Sequence, residues 1–158
     1  MSRERSVVHA TFIIERHYEA TPARVFAAWA TKEAKARWFA CTPDWVTTRR
    51  EMDFRVGGRE RLNTGPAGGT DHGFDATYYD IVPGERIVYA YSMHLDDRRI
   101  SVSLATIEFK AKGKGTTLVF TEQGAFLDGY DDVAGREHGT RIGLDNLAVA
   151  LADTRTLM

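Results

Sequence analysis

Residues 86–123, RIVYAYSMHLDDRRISVSLATIEFKAKGKGTTLVFTEQ, decide the fold class. Three runs rich in β-branched and aromatic residues, 86–95, 100–110 and 116–123, alternate large apolar with polar side chains, the period of a strand with one buried face. Residues 96–99 (DDRR) and 112–115 (KGKG) separate them. Connections this short join only antiparallel neighbours. Upstream, 73–82 leads through Pro83-Gly84 into 86–95, and a glycine-rich loop, 64–71, precedes it. Strands over 45–56 and 59–63 flank Gly57-Gly58, read as a two-residue hairpin turn of the primed type.

Helical signals bracket this block. Residues 11–18 (TFIIERHY) form a first strand. Thr21 then caps a helix over residues 22–30, with Pro22 at its first position and Val25, Phe26 and Trp29 on one face. Thr31 caps a second short helix over 32–39, anchored by Trp38 and Phe39. At the other end, residues 133–153 carry Leu144, Leu147, Ala148 and Leu151 at i, i+3, i+4 and i+7, an amphipathic helix with Asp132 as its N-cap. Strand, two short helices, six antiparallel strands and a long helix, with no βαβ unit, make an α+β domain over 11–153 between tails 1–10 and 154–158.

The chain has 158 residues and a mass of 17.7 kDa, 43% hydrophobic and 27% charged. That length suffices for one core without disulfide or metal staples. A net charge of −1 supplies no field for phosphate backbones or acidic membrane surfaces, so neither nucleic acid nor membrane is an expected partner. No apolar run approaches a bilayer span, and the first residues lack the apolar core of a signal peptide. A cytoplasmic location is expected.

Seven segments, in this order and spacing, resemble one superfamily. They are Glu15-Arg16, Ala20-Thr21-Pro22 with Val25-Phe26, Ala36-Arg37-Trp38-Phe39, Asp53 to Gly58, Pro83 to Tyr89, Gly115-Thr116 and Leu144 to Leu147. The chain is similar to START-like (SRPBCC) proteins, in the branch resembling the C-terminal domain of the activator of the ninety-kilodalton heat-shock-protein ATPase. The resemblance implies a helix-grip: a curved seven-stranded sheet wrapped round the long C-terminal helix, with a cavity between. It implies architecture more than activity, because that fold hosts lipid carriers, receptors, cyclases and co-chaperone domains. Two departures fall near the implied cavity. Trp38-Phe39-Ala40-Cys41 stands where Trp-Trp-Gly-Pro is usual, and Gly139-Thr140 where Gly-Trp is common.

Strand alternation turns Ile87, Tyr89, Tyr91 and Met93 to one face and Leu118 and Phe120 to the corresponding face of the last strand. Extending the same period turns Glu122 inward, and Leu62 inward brings Glu60 with it. In the cavity that the resemblance implies, Trp38, Glu60, Tyr79, Tyr89, Tyr91, Met93, Phe120 and Glu122 are the expected ligand-binding residues, an aromatic lining for a small hydrophobic molecule with two acids facing it. Ordinary core packing explains most of the same residues. Structural ion pairs, with Arg16 or Arg61 as partner, explain the acids. Glu60→Gln is expected to change ligand preference with little effect on melting temperature. Trp29, Phe26 and Phe54 are read as core.

Other residues point to little chemistry. The five histidines show no ligand spacing, and no metal or cofactor is expected. Cys41 has no cysteine partner and reads as inert packing. Asp128, Asp131 and Asp132 lack EF-hand spacing and read as a solvated helix lead-in. Arg49, Arg50, Arg55, Arg59 and Arg61 interleave with Glu51, Asp53 and Glu60, the pattern of solvent-exposed cross-strand pairing. Gly139 and Gly143, four apart, permit close approach of helix and sheet, or leave room for a ligand.

Three functions fit: binding of a small hydrophobic molecule, favoured; a co-chaperone-like module with a chaperone contact; or a cyclase, aromatase or hydrolase using Glu60, Glu122 and Tyr91. A noncatalytic role is preferred, because acid–base work requires those groups to converge on one atom. An exposed edge strand allows homodimerisation.

Overall fold

The computed structural model describes residues 4–40 and 42–153. Cys41 and the tail 154–158 lie outside the described residues, and with them the expectations placed there. The order of elements is β1 (Val7–Tyr18), α1 (Pro22–Ala30), α2 (Lys32–Lys35), β2 (Trp45–Met52), β3 (Arg59–Pro66), β4 (His72–Val82), β5 (Arg86–Leu95), β6 (Arg98–Lys112), β7 (Gly115–Leu127) and α3 (Val133–Ala152). All seven strands form one antiparallel sheet in the order β1-β7-β6-β5-β4-β3-β2. The architecture is the α+β helix-grip. No described helix is long and apolar enough to cross a membrane.

Local chemistry explains the helix starts. Thr21 Oγ1 accepts from Arg24 N and Thr31 Oγ1 from Ala34 N, while Asp132 caps α3 by accepting from Gly135 N at 2.7 Å. The alternation expected for the strands holds: Ile87, Tyr89 and Tyr91, with Leu118, Phe120 and Glu122, all face the buried side. Leu144, Leu147 and Leu151 of α3 are buried with Ala150; Ala148 is exposed. The lead-in from α1 to β2 is shorter in helix than the capping pattern suggests, ending at Lys35.

Two differences from the expected strands have clear causes. The chain from 53 to 58 is a six-residue loop, not a two-residue hairpin. Asp53 N donates to Arg59 O at 2.8 Å and Gly58 N to Arg55 O at 2.8 Å, so β2 stops at Met52. β1 and β7 run longer than expected because each pairs with the other over its full length, from Val7 opposite Leu127 to Tyr18 opposite Thr116. Residues read as an N-terminal tail are thus recruited by a neighbouring strand.

The core lies between the concave sheet face and the helices. The two halves of α3 differ in how they are held. Its buried residues all fall at or beyond Leu144. There the Tyr18 hydroxyl donates to the Leu144 carbonyl at 2.9 Å, and the Arg24 guanidinium donates to the Leu151 carbonyl. Its N-terminal half, by contrast, passes over open space.

Candidate functional site: a cavity under the N-terminal half of α3

A cavity of about 390 Å³ opens between that half-helix and strands β4, β5 and β7. Trp29, Trp38, Phe39, Phe74, Tyr89, Tyr91, Met93 and Phe120 supply its apolar wall, and Gly135, Gly139, Gly143 and Leu144 its roof. Glycine is what leaves the space. A Cβ built on Gly139 or Gly143 would meet nothing within 4 Å, so these residues do not serve close packing of helix on sheet. Of the two readings of this glycine pair, room under the helix is the one the geometry supports. A helix-interior glycine is roughly 1 kcal/mol less favourable than alanine, and here no contact offsets that cost.

One corner of the cavity is polar. Glu122 on β7 is 1% exposed and Tyr91 on β5 is 6% exposed. Between them lies β6, which at this level contributes only Ser103 and Ala105, opposite Tyr91 and Glu122 respectively. Small side chains on the intervening strand let the Tyr91 hydroxyl reach across to both Glu122 oxygens, at 2.9 and 2.7 Å. Arg136 of α3 closes the corner. Its Nη1 donates to the Tyr91 hydroxyl at 3.0 Å and to Glu122 Oε2 at 3.4 Å; its Nη2 donates to Ser101 Oγ at 2.7 Å and Asp131 Oδ2 at 2.9 Å. The guanidinium also lies 5.2 Å from the Phe126 ring centroid.

Burial pushes the Tyr91 hydroxyl above the ordinary tyrosine range, and the Glu122 charge pushes it further, against an opposing effect from Arg136. Tyr89 is raised for the same leading reason. Burial alone would lower Arg136, but Tyr91, Glu122 and Asp131 outweigh it and the net direction is up. Tyr91 therefore keeps its single proton for Glu122, and Arg136 keeps its charge.

Of the eight expected ligand-binding residues, Trp38, Tyr89, Tyr91, Met93, Phe120 and Glu122 line this cavity. Tyr79 does not. It is the unpaired residue of a β-bulge, where the register slips between Tyr78 and Asp80, and it is 62% exposed on the outer face. Glu60 faces inward but lies outside the lining. Its carboxylate accepts from Lys35 Nζ at 2.7 Å and from the Tyr78 hydroxyl, and neither group is more than 6% exposed by side chain. The Lys35 ammonium in turn sits 4.4 Å from the Phe39 ring centroid and within 5.9 Å of Trp29, Phe74 and Tyr89. Glu60 is thus a core ion pair, outside the cavity lining to which Glu122 belongs.

The partners expected for these acids differ too. Arg16 pairs with Asp145 at 3.5 Å and Arg61 with Asp75 at 3.8 Å, while Lys35 and Arg136 take the buried roles. Both acids are buried, Glu60 at 5% and Glu122 at 1% exposure. Lys35 and Arg136 carried no distinguishing signal: a charged residue on a helix ordinarily faces solvent. Only Arg136's place two turns ahead of the first buried leucine hinted that it lies over the sheet. Trp29, read as core, also borders the cavity, and its Nε1 and Ser103 Oγ are buried without a hydrogen-bond partner among the described residues.

The arginine-rich hairpin behaves as paired surface. Arg49 meets Glu51 at 3.3 Å, Arg55 meets Asp53 at 2.8 Å and Arg59 meets Asp75 at 2.7 Å. Among the described residues no group of three or more His, Cys, Asp or Glu could hold a metal ion.

Comparison with known proteins agrees with this architecture. A search of the curated proteins finds no match. Among solved structures, a protein from Rhizobium leguminosarum is 52% identical, with 94% of this chain and 98% of that one covered at a TM-score of 0.89. The Mll3558 protein from Rhizobium loti is 45% identical over 92% of this chain and 99% of that one, with a TM-score of 0.86. The solution structure of the AHSA1-like protein from Aeromonas hydrophila is 24% identical over 93% of this chain and 95% of that one, at a TM-score of 0.70, a likeness of fold. The family model described as Activator of Hsp90 ATPase homolog 1-like protein matches residues 19–152, from the turn before α1 to the last residue of α3. The chain belongs to that family.

Proposed function

We propose that this protein binds a small hydrophobic molecule bearing an aromatic or similarly flat body, held between the sheet and the N-terminal half of α3. The observation that carries the reading is the cavity of about 390 Å³, walled by aromatic side chains, with its charged groups gathered at one corner. A ligand site of this kind combines mostly apolar enclosure with a few polar groups that fix orientation. Helix glycines with empty space beneath them support it further, because native interiors otherwise close such voids.

Titration with the neutral fluorophore N-phenyl-naphthylamine tests the proposal. Saturable enhancement in the wild type, lost in Gly143→Leu, whose side chain would occupy the cavity, is the expected result. Absence of enhancement, or enhancement unaffected by that substitution, would defeat it. Native mass spectrometry of protein purified from its own host would then reveal a retained molecule. Family membership favours a second reading, contact with an Hsp90-type chaperone. A pull-down with Hsp90 as bait that recovers nothing removes it.

A further inference from the structure

The polar corner distinguishes between kinds of ligand. The terminal donors of Arg136 and the Tyr91 proton are engaged. All four terminal N–H bonds of Arg136 are directed at Tyr91, Glu122, Ser101 and Asp131, and the one Tyr91 proton goes to Glu122. The corner's acceptors are not all engaged. A carboxylate offers about four lone-pair positions. Among the described residues Glu122 Oε1 accepts only from Tyr91, while Asp131 accepts once at each oxygen, from Asp132 N at Oδ1 and from Arg136 at Oδ2.

The charges lead the same way. Among the described residues lining the cavity, the ionisable groups other than tyrosine are Glu122, Asp131 and Arg136, two carboxylates against one guanidinium. The Lys35 ammonium nearby is balanced by Glu60 at 2.7 Å. The positive end of α3 is met by the Asp132 carboxylate. Trp29 Nε1, an unpartnered donor beside the cavity, is itself sealed from solvent and open to no ligand. The Tyr89 hydroxyl can donate or accept and discriminates nothing. Aromatic faces around the space attract a cation and offer nothing to an anion.

We infer that the ligand of this cavity is a hydrophobic amine, an apolar flat body carrying an ammonium that donates to Asp131, with the Glu122 carboxylate behind it adding negative potential. The inference rests on the cavity reading above and narrows it: carboxylic acids, the other common amphiphilic class, would meet a surplus negative charge. Asp131 is the contact a ligand reaches first, since its side chain is 28% exposed against 1% for Glu122.

The test is isothermal titration calorimetry at pH 7 with three naphthalenes that differ in one substituent at the β position: the methylamine, the methanol and the carboxylate. The amine is expected to bind at least about tenfold more tightly than the alcohol, the scale of one partly desolvated charge pair, and the carboxylate most weakly. Asp131→Asn should remove the amine's advantage. If that variant melts early, the wild type is compared at low and high salt, where only the amine should lose affinity. A carboxylate that binds as well as the amine, or an amine no better than the alcohol, overturns the inference and leaves the cavity reading standing. Failure of all three to bind overturns both.

Discussion

Replacing Gly139 and Gly143 together by alanine should make the protein more stable while making it a poorer binder. Both lie inside a twenty-residue helix, neither has a positive φ, and an added Cβ meets no atom within 4 Å at either position. The full helix-propensity gain is therefore available, roughly 1 kcal/mol per site. The two positions lie one turn apart on the same face, but neither added methyl meets another atom within 4 Å, so the gains should add approximately, to about 2 kcal/mol. For a domain of this size each kcal/mol moves the melting temperature by about 2–4 °C, so the double variant should melt roughly 4–8 °C higher by calorimetry.

Both glycines line the cavity, so added methyl groups should narrow it and affinity for the neutral fluorophore should fall in the same protein. Opposite signs separate this account from its alternatives. A lower melting temperature would mean that helix and sheet do approach closely at these glycines. A higher one with undiminished binding would place the fluorophore elsewhere.

Three further outcomes are expected. Lys35→Met should cost about 3–5 kcal/mol in urea unfolding, because it strands the Glu60 carboxylate in the core. Combining it with Glu60→Leu should recover most of that loss, since a buried pair replaced whole by apolar groups is often neutral. Glu122→Leu should destabilise by a similar amount by leaving Arg136 without its buried partner, while Arg59→Ala at an exposed pair changes stability by less than about 1 kcal/mol. Finally, Tyr18, Tyr78, Tyr89 and Tyr91 are all raised by burial in the folded state. Their contribution is complete below the unfolded tyrosine value of about 10 and is lost as pH rises through the higher folded values. Each removes about 1.4 kcal/mol per pH unit above 10, so the chain should unfold cooperatively soon beyond that point in a pH-dependent circular dichroism series.

Much of the architecture was legible in the order of residues because its determinants are local. Period-two alternation marks strands, Thr21, Thr31 and Asp132 mark helix starts, and Pro83-Gly84 and Lys112 to Gly115 mark reversals, each through interactions spanning a few residues. Alternation also assigned the inward faces correctly for Tyr89, Tyr91, Phe120 and Glu122. It did not place Tyr79, where one bulged residue separates the two register frames of β4, and it placed Glu60 inward without revealing that the position is filled by an ion pair.

Which charge meets which, and whether space remains beneath a helix, depend on distances between residues far apart in the chain. Lys35 and Glu60 are 25 residues apart, and Tyr91 and Glu122 are 31 apart. Sequence alone determined which apolar side chains turn toward the interior along regular strands and helices, because the pleat of a strand and the pitch of a helix are properties of consecutive residues. Tertiary structure alone decided that Arg136 neutralises Glu122 and that Gly139 and Gly143 roof an open cavity, because those follow from how far the sheet curves away from the helix it grips.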